Sequence, residues 1–153
     1  MTATRVRAVF DTNIYLSALL SAQGTAGRVF AAGFRDGLFV PVTSPAMLDE
    51  LLDVITRPRN MRRLRRGLAD LAAFHLFVKQ TAEVIPGEYQ QLDLVPTDVK
   101  DNPVAAAALE ARAPYLVTRD AADLLRLKAF RLAAHRVVQI VSPEDFLREI
   151  LGR

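Results

Sequence analysis

The chain alternates between short apolar runs and longer stretches in which apolar side chains recur at helical spacing. The apolar runs predict strands near residues 5–10, 38–42, 82–85, 114–118 and 136–141. These runs lack a clean alternation of apolar and polar residues, which is typical of strands covered by helices on both faces. The stretches between them predict helices near residues 13–21, 26–35, 45–56, 60–80, 102–112, 121–130 and 143–151. Strands that alternate with helices imply right-handed crossovers, and hence a parallel sheet in an α/β fold.

Two helix starts and one helix face carry clear local signals. Ser44-Pro45 and Ser142-Pro143 each place a capping hydroxyl before a proline at the first helical position. In the helix predicted over 60–80, one apolar stripe at helical spacing should face the core. The stripe consists of Leu64, Leu68, Leu71, His75 and Val78. The neighbouring arginines project away from this stripe and should face solvent.

The composition narrows the class of protein. A chain of 153 residues is most simply one domain, residues 1–153, and no repeat or Gly/Ser linker suggests a boundary. The absence of cysteine excludes disulfides, cysteine-ligated zinc, iron–sulfur clusters and thiol nucleophiles. No apolar run approaches the roughly 18 residues of a membrane span, and the N-terminus lacks the apolar core of a signal peptide. We therefore expect a cytoplasmic protein with no membrane partner.

The positive charge is concentrated in one segment. The formal net charge is only +3, but six arginines fall within ten residues, and they are Arg57, Arg59, Arg62, Arg63, Arg65 and Arg66. This arginine strip is either a solvated face or a surface for an acidic partner such as a phosphodiester. Few aromatic residues flank it, so base stacking is not indicated. Contacts to a phosphate backbone, with little sequence readout, are the expectation.

Four acids lie where the carboxyl ends of parallel strands would meet, and they are Asp11, Glu50, Asp101 and Asp120. Asp11 directly follows the first strand, and Asp120 closes the run that begins at Tyr115. Open α/β sheets bind their ligands at this edge. Carboxylates gathered there repel one another unless a cation neutralises them. The pattern therefore predicts a Mg²⁺- or Mn²⁺-dependent site, with Thr12 and Asn13 hydrogen-bonded around Asp11.

Three of these acids also have a simpler structural interpretation. Asp11 could cap a helix or form an Asx turn, and Asp101 could cap the helix that begins near Pro103. Asp120 and Asp123 could form a variant of the capping box. Separate caps do not readily explain why the acids share one edge of the sheet, and this joint placement favours a common site.

Glu50 is the least determined of the four. It shares the polar side of its helix with Asp49 and Asp53, and the spacing does not choose among the three. Near the third acid, Asp98 and Asp101 form a denser cluster than helix capping requires. A set of four acids could hold one divalent ion, or two ions about 3.5–4 Å apart as in phosphodiester hydrolysis.

Four motifs, taken in order, resemble the pattern of the PIN domain family, and they are Asp11-Thr12-Asn13, Glu50, Lys100-Asp101-Asn102 and Val117-Thr118-Arg119-Asp120. The resemblance covers about residues 6–148 and is closest to the VapC-like toxins of bacterial toxin–antitoxin systems. It implies a three-layer α/β/α fold with a five-stranded parallel sheet. It also implies Mg²⁺- or Mn²⁺-dependent endoribonuclease activity, with an RNA substrate, a cognate antitoxin and a homodimer as the partners.

The resemblance further assigns roles to individual residues. The catalytic metal ligands would be Asp11, Glu50, Asp101 and Asp120, supported by the polar residues Asn13 and Thr118 and by the auxiliary acids Asp98 and Asp123. The implied reaction is hydrolysis by a metal-activated water, which needs no side-chain nucleophile. The arginine strip would contact RNA or the antitoxin. Arg119 departs from the pattern, because a small glycine is frequent at this position in the subgroup.

Other functions fit the sequence less well. His75 lies on an apolar stripe and His135 in a basic loop, so a serine–histidine–aspartate triad is disfavoured. Neither an HExxH motif nor a P-loop is present. Phosphatases on similar folds pair an aspartyl nucleophile with an acid two residues later, and that position is Asn13. A non-catalytic nucleic-acid-binding or antitoxin-interaction domain on the same fold remains the alternative.

Overall fold

A computed structural model of the protein describes residues 5–88, 102–120, 124–127, 129–133 and 136–153. In these ranges six strands form one sheet, and they are β1 Arg7–Phe10, β2 Val40–Thr43, β3 Glu83–Val84, β4 Tyr115–Val117, β5 Ala129–Ala133 and β6 Arg136–Val141. Their order across the sheet is β3-β2-β1-β4-β6-β5. The first five strands of this order pair in parallel, which confirms the predicted five-stranded parallel sheet.

The sixth strand, β5, was not expected. It pairs antiparallel with β6 at the edge of the sheet. The helix predicted over 121–130 is therefore wrong in its second half, because the described helix there covers only Leu124–Leu127 and β5 begins at Ala129. Periodicity alone cannot separate a short apolar strand from a short helix. Hydrogen bonding to β6 decides the matter in favour of the strand.

The helices pack on both faces of the sheet. Their bounds are α1 Thr12–Leu20, α2 Thr25–Phe34, α3 Pro45–Ile55, α4 Pro58–Leu64, α5 Leu68–Thr81, α6 Asn102–Glu110, α7 Leu124–Leu127 and α8 Pro143–Asp145, which a π-helical stretch continues over Phe146–Ile150. Within β1, Ala8 and Phe10 face one apolar cluster, whereas Val9 faces the other. Because side chains alternate along a strand, two separate cores require helices on each side, and the three-layer α/β/α fold is confirmed.

The predicted proline-first helix starts are confirmed by their caps. The Ser44 hydroxyl accepts a hydrogen bond from the backbone N–H of Met47 at 3.3 Å, at the start of α3. The Ser142 hydroxyl accepts one from Asp145 at 3.1 Å, at the start of α8. Both helices therefore begin directly after a parallel strand, with their first turns at the carboxyl edge of the sheet.

The helix predicted over 60–80 is wrong as a single element. The chain breaks between α4 and α5, where Arg65 adopts a left-handed backbone with φ of 55° and Gly67 is the N-cap residue of α5. The apolar stripe spans this break and gave no sign of it. Leu68 consequently lies at the start of a new helix with 61% of its side chain exposed, although it was expected to be buried.

The other expectations for this region are confirmed. Leu64, Leu71 and Val78 are buried. His75 is half-buried, and its Nε2 lies 2.9 Å from the backbone oxygen of Leu48, as a packed core histidine would. All six arginines of the strip are exposed.

A charged pair secures the short edge strand β3. The guanidinium of Arg7 on β1 reaches across β2 to the carboxylate of Glu83 on β3, with Nε 3.0 Å from Oε2 and a second contact between Nη2 and Oε1. The hydrogen bonds from Arg7 lower the pKa of Glu83. A strand of two residues has few backbone hydrogen bonds. The Arg7–Glu83 pair has two parallel contacts, the geometry in which a partly exposed ion pair can contribute, so it helps to fix the position of β3.

No helix in the described ranges combines the length and the apolar composition that crossing a bilayer requires.

A substitution at Gly33, on the buried face of α2, tests how tightly the apolar cluster around Phe10 and Phe39 is packed. A Cβ at this position would lie 2.5 Å from Cζ of Phe39, whose ring is fully buried between those of Phe10 and Phe146. We expect Gly33→Ala to lower the free energy of unfolding by about 1–3 kcal/mol through overpacking, even though alanine favours a helix by about 1 kcal/mol. Urea denaturation measures the change.

The matched control is the double variant Gly33→Ala with Phe39→Leu, which provides room for the added methyl group. We expect the double variant to lose less stability than the two single variants lose together. A Gly33→Ala protein as stable as the wild type would show that Phe39 can move aside without cost.

Candidate active site

The parallel pairing of the central strands brings three of the predicted acids to one edge of the sheet. Asp11 follows β1 as the N-cap residue of α1, and its backbone N–H donates to the oxygen of Val117 in β4 at 2.9 Å. Thr118 follows β4, and its N–H donates to Val141 in β6 at 3.0 Å. The two loops are thus fixed to neighbouring strands. Asp120 lies two residues further along the second loop.

The carboxylate of Asp11 is held by three donors. The fully buried Thr118 hydroxyl donates to Oδ2 at 2.8 Å, and the side-chain amide of Asn13 donates to the same oxygen at 3.1 Å. The backbone N–H of Thr12 donates to Oδ1 at 2.8 Å. Asp11 therefore does cap α1, as the simpler interpretation predicted. Helix capping does not explain its hydrogen bond from Thr118, which follows a different strand.

Thr118 also orders the loop that carries Asp120. Its hydroxyl oxygen accepts from the backbone N–H of Asp120 at 3.0 Å. The neighbouring backbone N–H group in the loop, that of Arg119, donates to the side-chain oxygen of Asn13 at 3.1 Å. Thr118 and Asn13 thus connect the ends of β1 and β4 through their side chains, at the positions where supporting polar residues were predicted.

Glu50 is the acid of α3 that joins this network. The hydroxyl of Thr12 donates to Glu50 Oε2 at 2.9 Å. Of its two acidic neighbours, Asp53 instead pairs with Arg57 at 2.9 Å, and Asp49 is exposed. Helical spacing could not separate these three acids, because only the position of α1 relative to α3 decides which of them lies next to Thr12.

Burial and neighbouring charge act on Asp11 in the same direction. Burial is the largest cause and raises the pKa of Asp11, while the hydrogen bonds from Thr118 and Thr12 partly lower it. The negative charges of Glu50 and Asp120 raise this pKa further. Ionisation of Asp11 is therefore less favourable than that of an ordinary aspartate, and a cation beside the carboxyl group would favour it.

Of the predicted metal ligands, Asp11, Glu50 and Asp120 are among the described residues. Asp98, Asp101 and Asp123 lie outside the described residues, as does His135. Among the residues that are described, no group of three or more acidic or histidine side chains is placed to hold one metal ion jointly. The donor chemistry nevertheless fits Mg²⁺, which takes oxygen ligands and commonly uses one or two carboxylates together with waters and substrate phosphates.

Sequence reasoning missed one contact at this edge. Glu144, in the first turn of α8, accepts a hydrogen bond from the guanidinium of Arg119 at 3.1 Å. The signal that could have revealed it is Ser142-Pro143-Glu144, which places an acid in a capped first turn directly after β6. Because β6 pairs in parallel with β4, this turn lies beside Arg119.

The fold and the acidic strand ends define an α/β protein with a candidate cation site at the carboxyl edge of its sheet. The sequence matches the PIN domain family over residues 7–122. This match covers well over half of the chain, so the protein belongs to the PIN domain family. PIN domains are generally nucleases and typically use divalent metal ions.

Among solved structures, the fold is similar to that of a chain in VapBC2 from Rickettsia felis bound to a DNA fragment from their promoter. The match covers 79% of this chain and 92% of the other, with a TM-score of 0.54 and 16% sequence identity. At this identity the likeness concerns the fold. The comparison with curated proteins gave no significant match.

The raised pKa of Asp11 predicts a pH-dependent effect of replacing it. A carboxyl whose pKa is higher in the folded than in the unfolded state stabilises the fold when protonated, and this contribution is lost as the pH rises through the folded-state pKa. We therefore expect the free energy of unfolding of Asp11→Asn, relative to wild type, to increase as the pH rises from about 3.9, the ordinary aspartate pKa. Urea denaturation across a pH series in EDTA measures this difference.

Asp49→Asn is the matched control, since it removes the charge of an exposed acid on α3. Its stability relative to wild type should change much less over the same pH range. Parallel pH profiles for wild type and Asp11→Asn would contradict the raised pKa of Asp11.

Proposed function

We propose that the protein is a Mg²⁺- or Mn²⁺-dependent endoribonuclease that serves as the toxin of a toxin–antitoxin pair. The observation that carries this proposal is the partly buried Asp11 carboxylate, oriented by Thr118 and lying in the negative field of Glu50 and Asp120. Membership of a family of nucleases supports the catalytic part. The single-domain organisation, the homodimer and the cytoplasmic location remain predictions.

Asp11, Glu50, Asp101 and Asp120 are the residues proposed to hold the ion. A bound divalent ion would lower the pKa of its water and offset negative charge on the reacting phosphate. Thr118 and Asn13 keep the Asp11 carboxylate in one orientation, and Thr12 does the same for Glu50. Such outer hydrogen bonds tune a metal site and restrict the rotamers of its ligands. Asp98 and Asp123 are proposed as auxiliary acids.

The arginine strip is proposed to bind the RNA backbone. Its six members are exposed, and one of them, Arg57, forms an ion pair with Asp53 at 2.9 Å. Within the described ranges, no ion pair is found for the other five. Exposed arginines attract phosphates whatever the base sequence, which fits a substrate held by its backbone.

An antitoxin segment is the second proposed partner of this region. The outer face of α5 exposes Leu68, Leu76 and Phe77 to 61%, 50% and 42%. The arginine strip directly precedes this apolar face along the chain. A partner segment with apolar side chains and acidic residues would match both features, whereas RNA would match only the arginines.

The nuclease assignment predicts the loss of cleavage when a ligand is removed. We expect Asp11→Asn and Asp101→Asn to lower the rate of Mn²⁺-dependent RNA cleavage by at least about 10–100-fold, the loss that even outer partners of metal ligands produce. A metal-titrated cleavage assay on mixed RNA and DNA, read by sequencing of the product ends, measures rate and substrate class. Mn²⁺ should also raise the melting temperature of the wild type more than that of Asp11→Asn.

Asp49→Asn again serves as the control, since it removes an acid on the same helix as Glu50 and should cleave at the wild-type rate. Wild-type cleavage by purified Asp11→Asn would refute the catalytic assignment. RNA binding without cleavage by the wild type would instead favour the non-catalytic nucleic-acid-binding alternative.

The arginine strip is tested separately by charge reversal. We expect Arg62→Glu combined with Arg63→Glu to weaken RNA binding and to flatten its dependence on salt, by about 0.7 in log–log slope for each phosphate that the strip no longer neutralises. Fluorescence anisotropy with a labelled single-stranded RNA, repeated over a salt series, measures both quantities. The control is Arg28→Glu with Arg35→Glu, two exposed positions on and just after α2. An unchanged slope in the strip variant would place the RNA on another surface.

A further inference from the structure

Arg119 is a cation built into the acidic loop itself. Its backbone N–H donates to Asn13 Oδ1 at 3.1 Å, and the residues on either side are also fixed. Thr118 N–H bonds to Val141 at 3.0 Å, and Asp120 N–H bonds to the Thr118 hydroxyl at 3.0 Å. Three consecutive backbone N–H groups therefore hold Arg119 in a defined position relative to Asp11.

The side chain of Arg119 is also held, but at a half-exposed position. One guanidinium nitrogen, Nη1, donates to Glu144 Oε1 at 3.1 Å, and the two side chains are 39% and 47% exposed. Glu144 is itself fixed in the first turn of α8, which Ser142 caps. Ion pairs this exposed contribute little to stability. The pair is better explained by orientation, because the bond to Glu144 holds the Arg119 guanidinium in one direction.

The order of strands places this guanidinium in a row of charges. Along the carboxyl edge, in the sequence β2, β1, β4 and β6, the charged side chains of the described residues include Glu50, Asp11, Asp120, Arg119 and Glu144. A phosphodiester that approaches the acids of this row is repelled by them, and Arg119 offsets that repulsion. A guanidinium has five N–H donors in a planar fork that matches phosphate oxygens. The bond to Glu144 uses one of them.

We propose that Arg119 is a phosphate clamp: its guanidinium, oriented by Glu144, binds a backbone phosphate next to the one that is cleaved. This inference rests on the proposed nuclease function and names a substrate-positioning residue for it. Arg119 acts at the edge of the acidic site, separately from the arginine strip of α4 and the α4–α5 junction. Glu144 is the positioning residue of the clamp.

Binding and cleavage are measured separately to test the clamp. Binding of a short fluorescein-labelled single-stranded RNA is measured over a salt series in the Asp11→Asn background, where cleavage is suppressed. We expect added Arg119→Ala to weaken binding about tenfold, as the loss of a charge-assisted hydrogen bond does, and to lower the salt slope by about 0.7. Arg119→Lys should keep the slope, because it keeps the charge.

Arg35→Ala is the matched control, since it also removes a paired, exposed arginine but lies just before β2, at the opposite end of the sheet.

Steady-state cleavage by the single variants provides the second measurement. If Arg119 binds the neighbouring phosphate equally in the ground state and the transition state, its removal in Arg119→Ala should raise KM more than it lowers kcat. If the pair only joined the β4 loop to α8, Arg119→Ala and Glu144→Gln would lower the melting temperature alike and leave the salt slope at its wild-type value. That result would overturn the clamp.

Absence of cleavage by the wild type, together with an Arg119-dependent slope, would refute the nuclease function and still support the phosphate contact.

Discussion

One hydroxyl group, that of Thr118, joins the parts of the candidate site. It donates to the Asp11 carboxylate and accepts from the backbone of Asp120, so a single buried side chain connects the ends of two strands. This contact exists because β1 and β4 pair in parallel and end at the same level. A shift of one residue in that register would turn Thr118 to the other face of the sheet. The strand pairing is therefore the constraint on which the site's geometry rests.

The same geometry places stability and chemistry in opposition. Partly burying Asp11 between hydrogen-bond donors gives its carboxyl group one orientation, but burial and the charges of Glu50 and Asp120 raise its pKa. A protein selected for stability alone would place a neutral side chain there. A buried carboxylate that is oriented but poorly neutralised is typical of sites at which a ligand completes the charge balance. At the rim, the half-exposed guanidinium of Arg119 is held in place by its ion pair with Glu144.

Sequence reasoning reached the fold because the strand and helix signals were strong and agreed with one another. The proline-first caps at Ser44 and Ser142 fixed two helix starts, and apolar runs located the five parallel strands. The break at Arg65 was hidden, since the apolar stripe continues across it and a left-handed arginine leaves no clear mark in the sequence. The choice of Glu50 over Asp49 and Asp53 required knowing how α1 packs beside α3. Glu144 required knowing that β6 lies next to β4.

The pair between Arg7 and Glu83 has a consequence beyond holding β3 in place. An outer strand with unpaired backbone groups is a template on which a second molecule can add a strand and begin aggregation. Here the outermost parallel strand, β3, is two residues long, and the side chain of its Glu83 is already paired with Arg7 of β1. That leaves little backbone for a foreign strand to recognise. A residue pair that secures one edge of the fold thus also discourages the sheet from growing into a fibril.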